Sequence, residues 1–215
     1  DCTPGGLALA DTGASRAQAA HAAVHRASTS VRTSALSSHA RFDLAVLAPP
    51  GALNPSVAEE LVRTGVPHLL ATVRETTGIV GPMVVPGVSA CLRCLDLHRT
   101  DRDPAWPLLA AQLATESRRP AVPACDVALA TLVASVTALQ VLAAIDAGLT
   151  PASRRAGDGK PSRPAKLPTH DGTLEVTLPD WRIRRRGWSP HPACGCQWPG
   201  GSQEGGNHRP ADPGG

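Results

Sequence analysis

Two tight pairs of cysteines constrain this chain more than any other feature. Cys91 and Cys94 are separated by two residues, and Cys194 and Cys196 are separated only by Gly195. Zinc requires four ligands in a tetrahedron, and a Cys-x-x-Cys pair supplies two thiolates from one turn of backbone. The second pair completes the set, since glycine allows the sharp turn between its thiols. The sequence therefore predicts one structural zinc ion that fastens the C-terminal end to the domain, because four thiolates leave no position for a catalytic water.

Two other interpretations of these pairs stay open at this stage. Cys91 and Cys94 are also spaced like a redox dithiol, although a thioredoxin-like motif belongs near the start of a chain. Alternatively, the second pair is unconnected with the first. Disulfides are not expected, because six cysteines in 215 residues is far below the density of a disulfide-stapled secreted protein.

Apolar runs alternate with a helical segment in the first half of the chain. Residues 42–48 read as a short buried strand, 55–64 as a helix, and the segments VPHLLATV and TGIVGPMVVPG as two more strands. A strand-helix-strand succession is typical of a parallel sheet flanked by helices. The predicted fold is thus one α/β domain with a Rossmann-like parallel sheet.

The remaining segments complete this prediction. Residues 15–29, 106–114 and 126–147 are expected to be helices, and the last of these is apolar on nearly every face, which predicts burial on most sides. Short strands are expected at 174–178 and 181–185. Residues 150–166 are rich in Pro, Gly and basic residues and predict a mobile linker, whereas 199–215 predict a disordered tail. The polar cluster Asp96, His98, Asp101 and Asp103 is expected to face solvent.

Charge and hydropathy limit the function classes. The formal net charge is only +3, with one concentrated basic strip at 182–186. A zinc-ribbon nucleic-acid binder is disfavoured, because ribbon pairs are usually about 15–20 residues apart and aromatic stacking groups are scarce here. We expect no membrane-spanning segment and no signal peptide, and hence a cytoplasmic protein.

Three runs carry a resemblance to a known family: GIVGPMVVPGVSACLRCLDLHRTDRDPAW, the helix from CDVALATLV to ALQVLAAIDAG, and LPDWRIRRRGWSPHPACGCQW. They resemble the ThiF/MoeB/HesA family, relatives of the ubiquitin-activating enzymes, over about Asp11 to Trp198. The resemblance implies a domain at 1–198 that is incomplete at its N-terminus. It also implies ATP and magnesium as cofactors, a zinc site made of two distant cysteine pairs, and a homodimer.

The resemblance assigns roles to two further residues. DTGASRAQAA is similar to the family's helix start and places Arg16 where a phosphate-binding lysine usually stands. Cys125 falls where some members carry a thiol that attacks the activated carrier. The alternatives are a solvated arginine and a small buried thiol. Pro49-Pro50-Gly51 stands where the family's magnesium-binding aspartate is expected, and the family's Gly-rich phosphate turn is expected ahead of Asp1.

Two functions follow from these observations. The first is an ATP-dependent adenylyltransferase that activates the C-terminal carboxylate of a ubiquitin-like carrier protein or peptide. The second is a non-catalytic, zinc-scaffolded homologue that binds a precursor peptide or carrier protein for a partner enzyme in peptide natural-product biosynthesis. The residues at the magnesium position favour the second, and whether this chain is itself an enzyme stays open.

Overall fold

A five-stranded sheet in the order β1-β2-β3-β4-β5 forms the centre of the domain. The computed structural model describes residues 8–33, 42–116, 124–150 and 167–197. The strands are β1 (Ala45–Leu47), β2 (His68–Arg74), β3 (Thr77–Val84), β4 (Gly172–Thr177) and β5 (Arg182–Gly187). The helices are α1 (Arg16–Ala27), α2 (Pro55–Arg63), α3 (Leu92–Arg102), α4 (Trp106–Glu116) and α5 (Val127–Asp146). A single 3₁₀ turn, Leu9–Asp11, precedes α1.

The sheet is mixed, so the predicted parallel sheet is wrong in its strand directions. Only β1 and β2 are parallel, and α2 provides the crossover between them. β3 returns antiparallel to β2 through a tight turn at Glu75 and Thr76, and β4 and β5 continue antiparallel. A two-residue connection can only reverse the chain, whereas a parallel pair needs a crossover of a dozen or more residues. The short spacing between β2 and β3 therefore decided the direction.

Helix boundaries agree with the local signals in the sequence. Ser15 caps α1 and accepts a hydrogen bond from the amide of Gln18, whose side chain bonds back to the amide of Ser15. Asn54 caps α2 and is followed by a proline at the first helical position. Asp126 caps α5 by accepting bonds from the amides of Ala128 and Leu129. Such caps satisfy backbone donors that the first turn leaves without partners.

Two apolar cores lie on opposite faces of the sheet. On the first face, α5 packs against β2 and β3, and the buried members are Leu69, Ala71, Val80, Met83, Val85, Leu129, Val133, Ala144, Leu149 and Leu167. On the second face the buried members are Val84, Ala90, Cys91, Cys94, Leu95 and Trp188. Successive strand residues point to opposite faces, so Met83 and Val84 belong to different cores. The second core contains the cysteines.

Helix α5 is far less buried than its sequence predicts. Only Leu129, Val133, Thr137 and Ala144 are buried along it, while Leu139 and Leu142 are 63% and 58% exposed. The prediction of burial on most sides is therefore wrong, because a single sheet covers one face of this helix among the described residues. By length and composition α5 is also apolar enough to cross a membrane, contrary to the prediction that no segment would be. Its packing against β2 and β3 gives it a role inside this domain, and the cytoplasmic location stays a prediction.

The predicted linker and tail lie almost wholly outside the described residues. Of the linker, only Thr150 is described, and it is buried. The tail at 199–215 and Trp198 are not described.

Candidate functional site

The four paired cysteines meet at one point. Their Sγ atoms all lie within 4.8 Å of one another. The Cys91–Cys94 distance is 3.8 Å, Cys91–Cys194 is 3.5 Å, and Cys94–Cys196 is 3.4 Å. A zinc–sulfur bond of about 2.3 Å places tetrahedral ligands about 3.8 Å apart, whereas a disulfide would need about 2.05 Å. The arrangement is a four-thiol cluster with the spacing of a tetrahedral metal site.

Local structure explains how each pair presents both sulfurs. Cys91 is the N-cap residue of α3, and Cys94 lies one turn later on the same side of that helix. Cys194 closes a turn by donating its amide hydrogen to the carbonyl of His191 at 2.9 Å. Gly195 follows with φ +73, a left-handed conformation that glycine adopts without steric cost. The expected sharp turn between Cys194 and Cys196 is therefore present.

The thiols of the cluster differ in acidity. The Cys91 thiol donates a hydrogen bond that lowers the pKa of Cys94 to about 4, and the amide of His191 adds to this effect. The same bond, together with burial, raises the pKa of Cys91. Burial and the neighbouring Cys94 raise the pKa of Cys196 to about 12. The hydrogen bonds of the cluster therefore favour the thiolate at Cys94 and the thiol at Cys91 and Cys196.

The donor set fits a zinc ion. Four thiolates in a tetrahedron are typical of zinc or iron–sulfur centres, and four protein ligands leave no open position for water. Cys91 and Cys94 are buried, and Cys194 and Cys196 are half-buried, so the cluster is largely withdrawn from solvent. A metal here would join α3 to the C-terminal segment 188–197.

A second group of potential ligands, His98, Asp101 and His191, lies next to this cluster. His191 accepts the amide hydrogen of Ala193 at Nδ1, so its Nε2 carries the proton and donates to Asp101 at 2.9 Å. His98 Nε2 donates to the carbonyl of Ser189 at 2.8 Å. Only His98 Nδ1 and carboxylate oxygens of Asp101 then have free lone pairs. These hydrogen bonds therefore attach the C-terminal segment 188–197 to α3.

The expectation that Asp96, His98, Asp101 and Asp103 face solvent is confirmed for Asp101 and Asp103, which are exposed, whereas Asp96 and His98 are half-buried. Asp96 accepts hydrogen bonds from Arg99 and from the Trp106 indole, which joins α3 to α4. His98 and Asp101 hold the C-terminal segment. These contacts depend on residues far away in the sequence, and the one available signal was the spacing of His98 and Asp101 on one helical face.

The basic strip is largely occupied by contacts within the domain. Arg184 and Arg186 both pair with the buried Glu175, at 2.9 and 3.1 Å. Arg185 donates to the carbonyls of Pro168 and His170, at 2.7 and 3.0 Å. Arg182 lies 3.6 Å from the carboxylate of Asp180. These contacts give the strip a role within the domain, and the expectation against a nucleic-acid partner stays a prediction.

Cys125 and Arg16 lie outside the cysteine cluster. Cys125 is exposed and directly precedes Asp126, the N-cap of α5, where it forms an isolated backbone bridge with Glu75. Glu75 follows the end of β2, whereas the cysteine cluster shares a core with Val84, which pairs with the first residue of β2. The length of β2 puts the two locations about 20 Å apart. Arg16 is the exposed first residue of α1.

The carboxyl ends of the parallel strands lie at the Cys125 end of the sheet. β1 and β2 run in the same direction, and β2 ends at Arg74, beside the Glu75–Cys125 bridge. In open α/β sheets, ligands bind outside the carboxyl ends of the parallel strands. The cysteine cluster therefore lies at one end of the sheet. The opposite end, beside Cys125, is the end at which a ligand could bind.

Solved structures share this fold. No family model matches the chain, and no curated protein matches it. E. coli MccB with ATP is 17% identical, with a TM-score of 0.60, over 89% of this chain and 53% of that chain. The microcin C7 biosynthetic enzyme MccB with N-formylated MccA is 16% identical, with a TM-score of 0.61, over 90% of this chain and 55% of that one. A heterocyclase with substrate and cofactor is 14% identical, with a TM-score of 0.56, over 75% of this chain and 21% of that chain.

These similarities establish the fold alone, since all three sequence identities are below one fifth. The chain spans about half the length of the MccB chains that it matches. MccB was solved with ATP and with N-formylated MccA, and the heterocyclase with substrate and cofactor.

Proposed function

We propose that this protein recognises the C-terminal carboxylate of a peptide or ubiquitin-like carrier protein and activates it with ATP, as a ThiF-like adenylyltransferase. The observation that carries this proposal is the fold shared with MccB, which was solved with ATP and with MccA. In such a reaction a carboxylate oxygen attacks the α-phosphorus of ATP. An acyl-adenylate forms, and pyrophosphate leaves.

The proposal assigns the chemistry to the carboxyl end of β1 and β2. Arg16, at the first position of α1, would neutralise phosphate charge, and magnesium would be held together with the nucleotide. Cys125 would present its thiol beside the activated carboxylate. Cys125 is exposed and directly precedes the N-cap of α5, so its thiol is accessible to a substrate at this end of the sheet.

Zinc belongs to the proposal as a structural element. We assign Cys91, Cys94, Cys194 and Cys196 as its ligands on the basis of their sulfur spacing. The ion would supply a cross-link between α3 and the C-terminal segment, about 20 Å from Cys125 by the length of β2. It would thus hold the scaffold and take no part in the reaction.

One observation favours the non-catalytic alternative. Pro49, Pro50 and Gly51 follow β1, and none of them offers a carboxylate for magnesium. A homologue without this ligand would bind a precursor peptide or carrier protein through the same scaffold and leave the chemistry to a partner enzyme.

Pyrophosphate exchange separates the two functions. The chain would be mixed with ATP, magnesium and labelled pyrophosphate, with and without a library of short peptides that end in a free carboxylate. The same peptides with a C-terminal amide are the matched control, since an amide cannot be adenylated. Exchange that needs the free carboxylate supports the adenylyltransferase. Peptide binding by fluorescence anisotropy without exchange supports the alternative, and the absence of both contradicts the proposal.

The exposed face of α5 supports a homodimer. This face has no charged residue between Val127 and Ile145, and Leu132, Leu139 and Leu142 are exposed along it. An uncharged apolar face can pack against a copy of itself without like-charge repulsion, as a two-fold interface requires. We therefore assign the α5 face as the surface at which a second copy binds.

A further inference from the structure

A tight turn before β4 contains an aspartate in an unusual conformation. Asp171 has φ +49, in the left-handed region that aspartate and asparagine enter more readily than most residues. Its side chain is 34% exposed, so the carboxylate is partly withdrawn from solvent. One carboxylate oxygen lies 3.2 Å from Nδ1 of His170.

The other carboxylate oxygen of Asp171 holds the backbone directly before the first cysteine pair. Oδ1 accepts the amide hydrogen of Ala90 at 2.7 Å. Ala90 is fully buried and directly precedes Cys91. The loop before Ala90 is fixed independently, because the Ser89 hydroxyl accepts the amide hydrogen of Val85 at 2.8 Å. The bond from Ala90 therefore determines where α3 and its first cysteine begin.

The backbone of Asp171 holds the start of the C-terminal segment, which carries the second cysteine pair. The carbonyl oxygen of Asp171 accepts the amide hydrogen of Trp188 at 2.9 Å. Trp188 is 5% exposed and packs in the core that contains Cys91 and Cys94. From Trp188 the chain leads directly to Cys194 and Cys196. Asp171 thus contacts both chain segments that carry the cysteines of the cluster.

The turn itself is rigid. Arg185 donates to the carbonyls of Pro168, His170 and Asp171, at 2.7, 3.0 and 3.2 Å. A Cβ atom at Gly172 would lie 2.7 Å from the Arg185 guanidinium and 2.8 Å from the Pro168 carbonyl oxygen. A larger residue at 172 would therefore displace the arginine that holds the turn.

We propose that Asp171 is a positioning residue that aligns the two cysteine pairs with each other before any metal is bound. Asp171 makes no hydrogen bond to a sulfur in the described part of the chain and acts through the amides of Ala90 and Trp188. The expected effect on metal affinity rests on the proposed zinc site. The alignment of the thiols does not, since it can be measured without metal.

The first test uses the zinc-free protein and three variants. Asp171→Asn keeps both the left-handed conformation and an acceptor oxygen, whereas Asp171→Gly keeps the conformation but removes the acceptor. Asp180→Gly is the matched control, because Asp180 lies in the next turn and pairs only with Arg182 among the described residues. Iodoacetamide labelling of each cysteine would be followed by peptide mass spectrometry, with the exposed Cys125 as internal reference.

Asp171→Gly removes the acceptor for the Ala90 amide but keeps the backbone carbonyl that holds Trp188. It should therefore increase the labelling rate of Cys91 relative to Cys125 several-fold, while Asp171→Asn and Asp180→Gly label like the wild type. Equal labelling in Asp171→Gly and the wild type would overturn the proposal. If Asp171→Gly does not fold, hydrogen exchange of the zinc-free wild type replaces it. The amides of Ala90 and Trp188 should then stay protected, and rapid exchange at both would overturn the alignment before metal binding.

The second test measures zinc affinity by competition with a chromogenic chelator. Asp171→Gly should lower the affinity about tenfold or more, as loss of residues that orient metal ligands commonly does, and Asp171→Asn should restore it. If the wild type binds no zinc while the labelling differences hold, the zinc assignment fails and the positioning role stands. If the wild type binds zinc and Asp171→Gly matches it in both tests, the positioning role fails and the zinc assignment stands.

Discussion

At the scale of single residues, the cysteine cluster is assembled from two short segments of the chain. Cys91 and Cys94 occupy the start of one helix, and Cys194 and Cys196 occupy one turn around Gly195. Each pair is positioned by backbone conformations that local sequence specifies. Their meeting depends on contacts made elsewhere, in particular the Asp101–His191 and Asp171–Ala90 hydrogen bonds.

Substitution of the first cysteine pair should abolish zinc binding. In Cys91→Ser/Cys94→Ser two thiolates are lost, so we expect less than 0.1 zinc per chain, on the order of a tenfold loss or more, against one in the wild type. The melting temperature should fall as well, because the cross-link to the C-terminal segment is gone. Metal analysis and thermal unfolding measure the two effects. Cys125→Ser is the control and should retain both zinc and the melting temperature, and an unchanged melting temperature in the double variant would contradict a structural role.

Zinc affinity should rise with pH, because the ligands bind as thiolates. Cys91 has a raised pKa and Cys196 a pKa of about 12 in the metal-free cluster, so both are protonated at neutral pH and must release protons when zinc binds. Each released proton changes the apparent affinity about tenfold per pH unit, so these two protons alone predict a gain of about a hundredfold or more from pH 6.5 to 7.5. Chelator competition at the two pH values measures this change. A pH-independent affinity would show that these thiols are not ligands.

At the scale of elements, α5 has two faces with different roles. Leu129 is 1% exposed and packs in the core on β2 and β3, whereas Leu139 on the opposite face is 63% exposed. The sequence of α5 does not distinguish these faces, because leucine, valine and alanine occur on both. The sheet alone selects the face that becomes buried.

Truncation of the two leucines should have different effects on stability. Leu129→Ala should lower the free energy of unfolding by about 2–5 kcal/mol, because it leaves a cavity under the sheet. Leu139→Ala should change the free energy of unfolding of the monomer by no more than about 0.5 kcal/mol. Urea denaturation at low protein concentration measures both. Equal destabilisation by the two substitutions would mean that α5 is covered on both faces within one chain.

At the scale of the whole molecule, the exposed α5 face predicts the oligomeric state. A chain that exposes such a face should dimerise at micromolar concentrations, and Leu139→Glu/Leu142→Glu should dissociate the dimer, because burying carboxylates without partners is costly. Sedimentation velocity measures the change, with circular dichroism as a test of folding. Val31→Glu, at a 45% exposed position in the segment that follows α1, is the control. A wild type that is monomeric at high concentration would contradict this interface.

The sequence by itself determined the elements of the domain and predicted which four cysteines meet in it. Helix caps at Ser15, Asn54 and Asp126, the apolar strands and the Cys-x-x-Cys spacing are local signals, since each depends on residues within one or two turns of chain. The helix and strand predictions of the first half agree with the structure to within a few residues. The roles of Arg16 and Cys125 stay predictions.

Only the tertiary structure decided which faces and strands came together. The pairing of β4 with β3, the half-exposed state of α5 and the contacts of Arg185 with the turn before β4 all depend on segments that local sequence does not join. Such contacts leave no periodic signal in a single sequence, because burial is set by what packs against a surface and not by the residues of that surface alone. Asp171 was missed for this reason, since its partners Ala90 and Trp188 lie far from it along the chain.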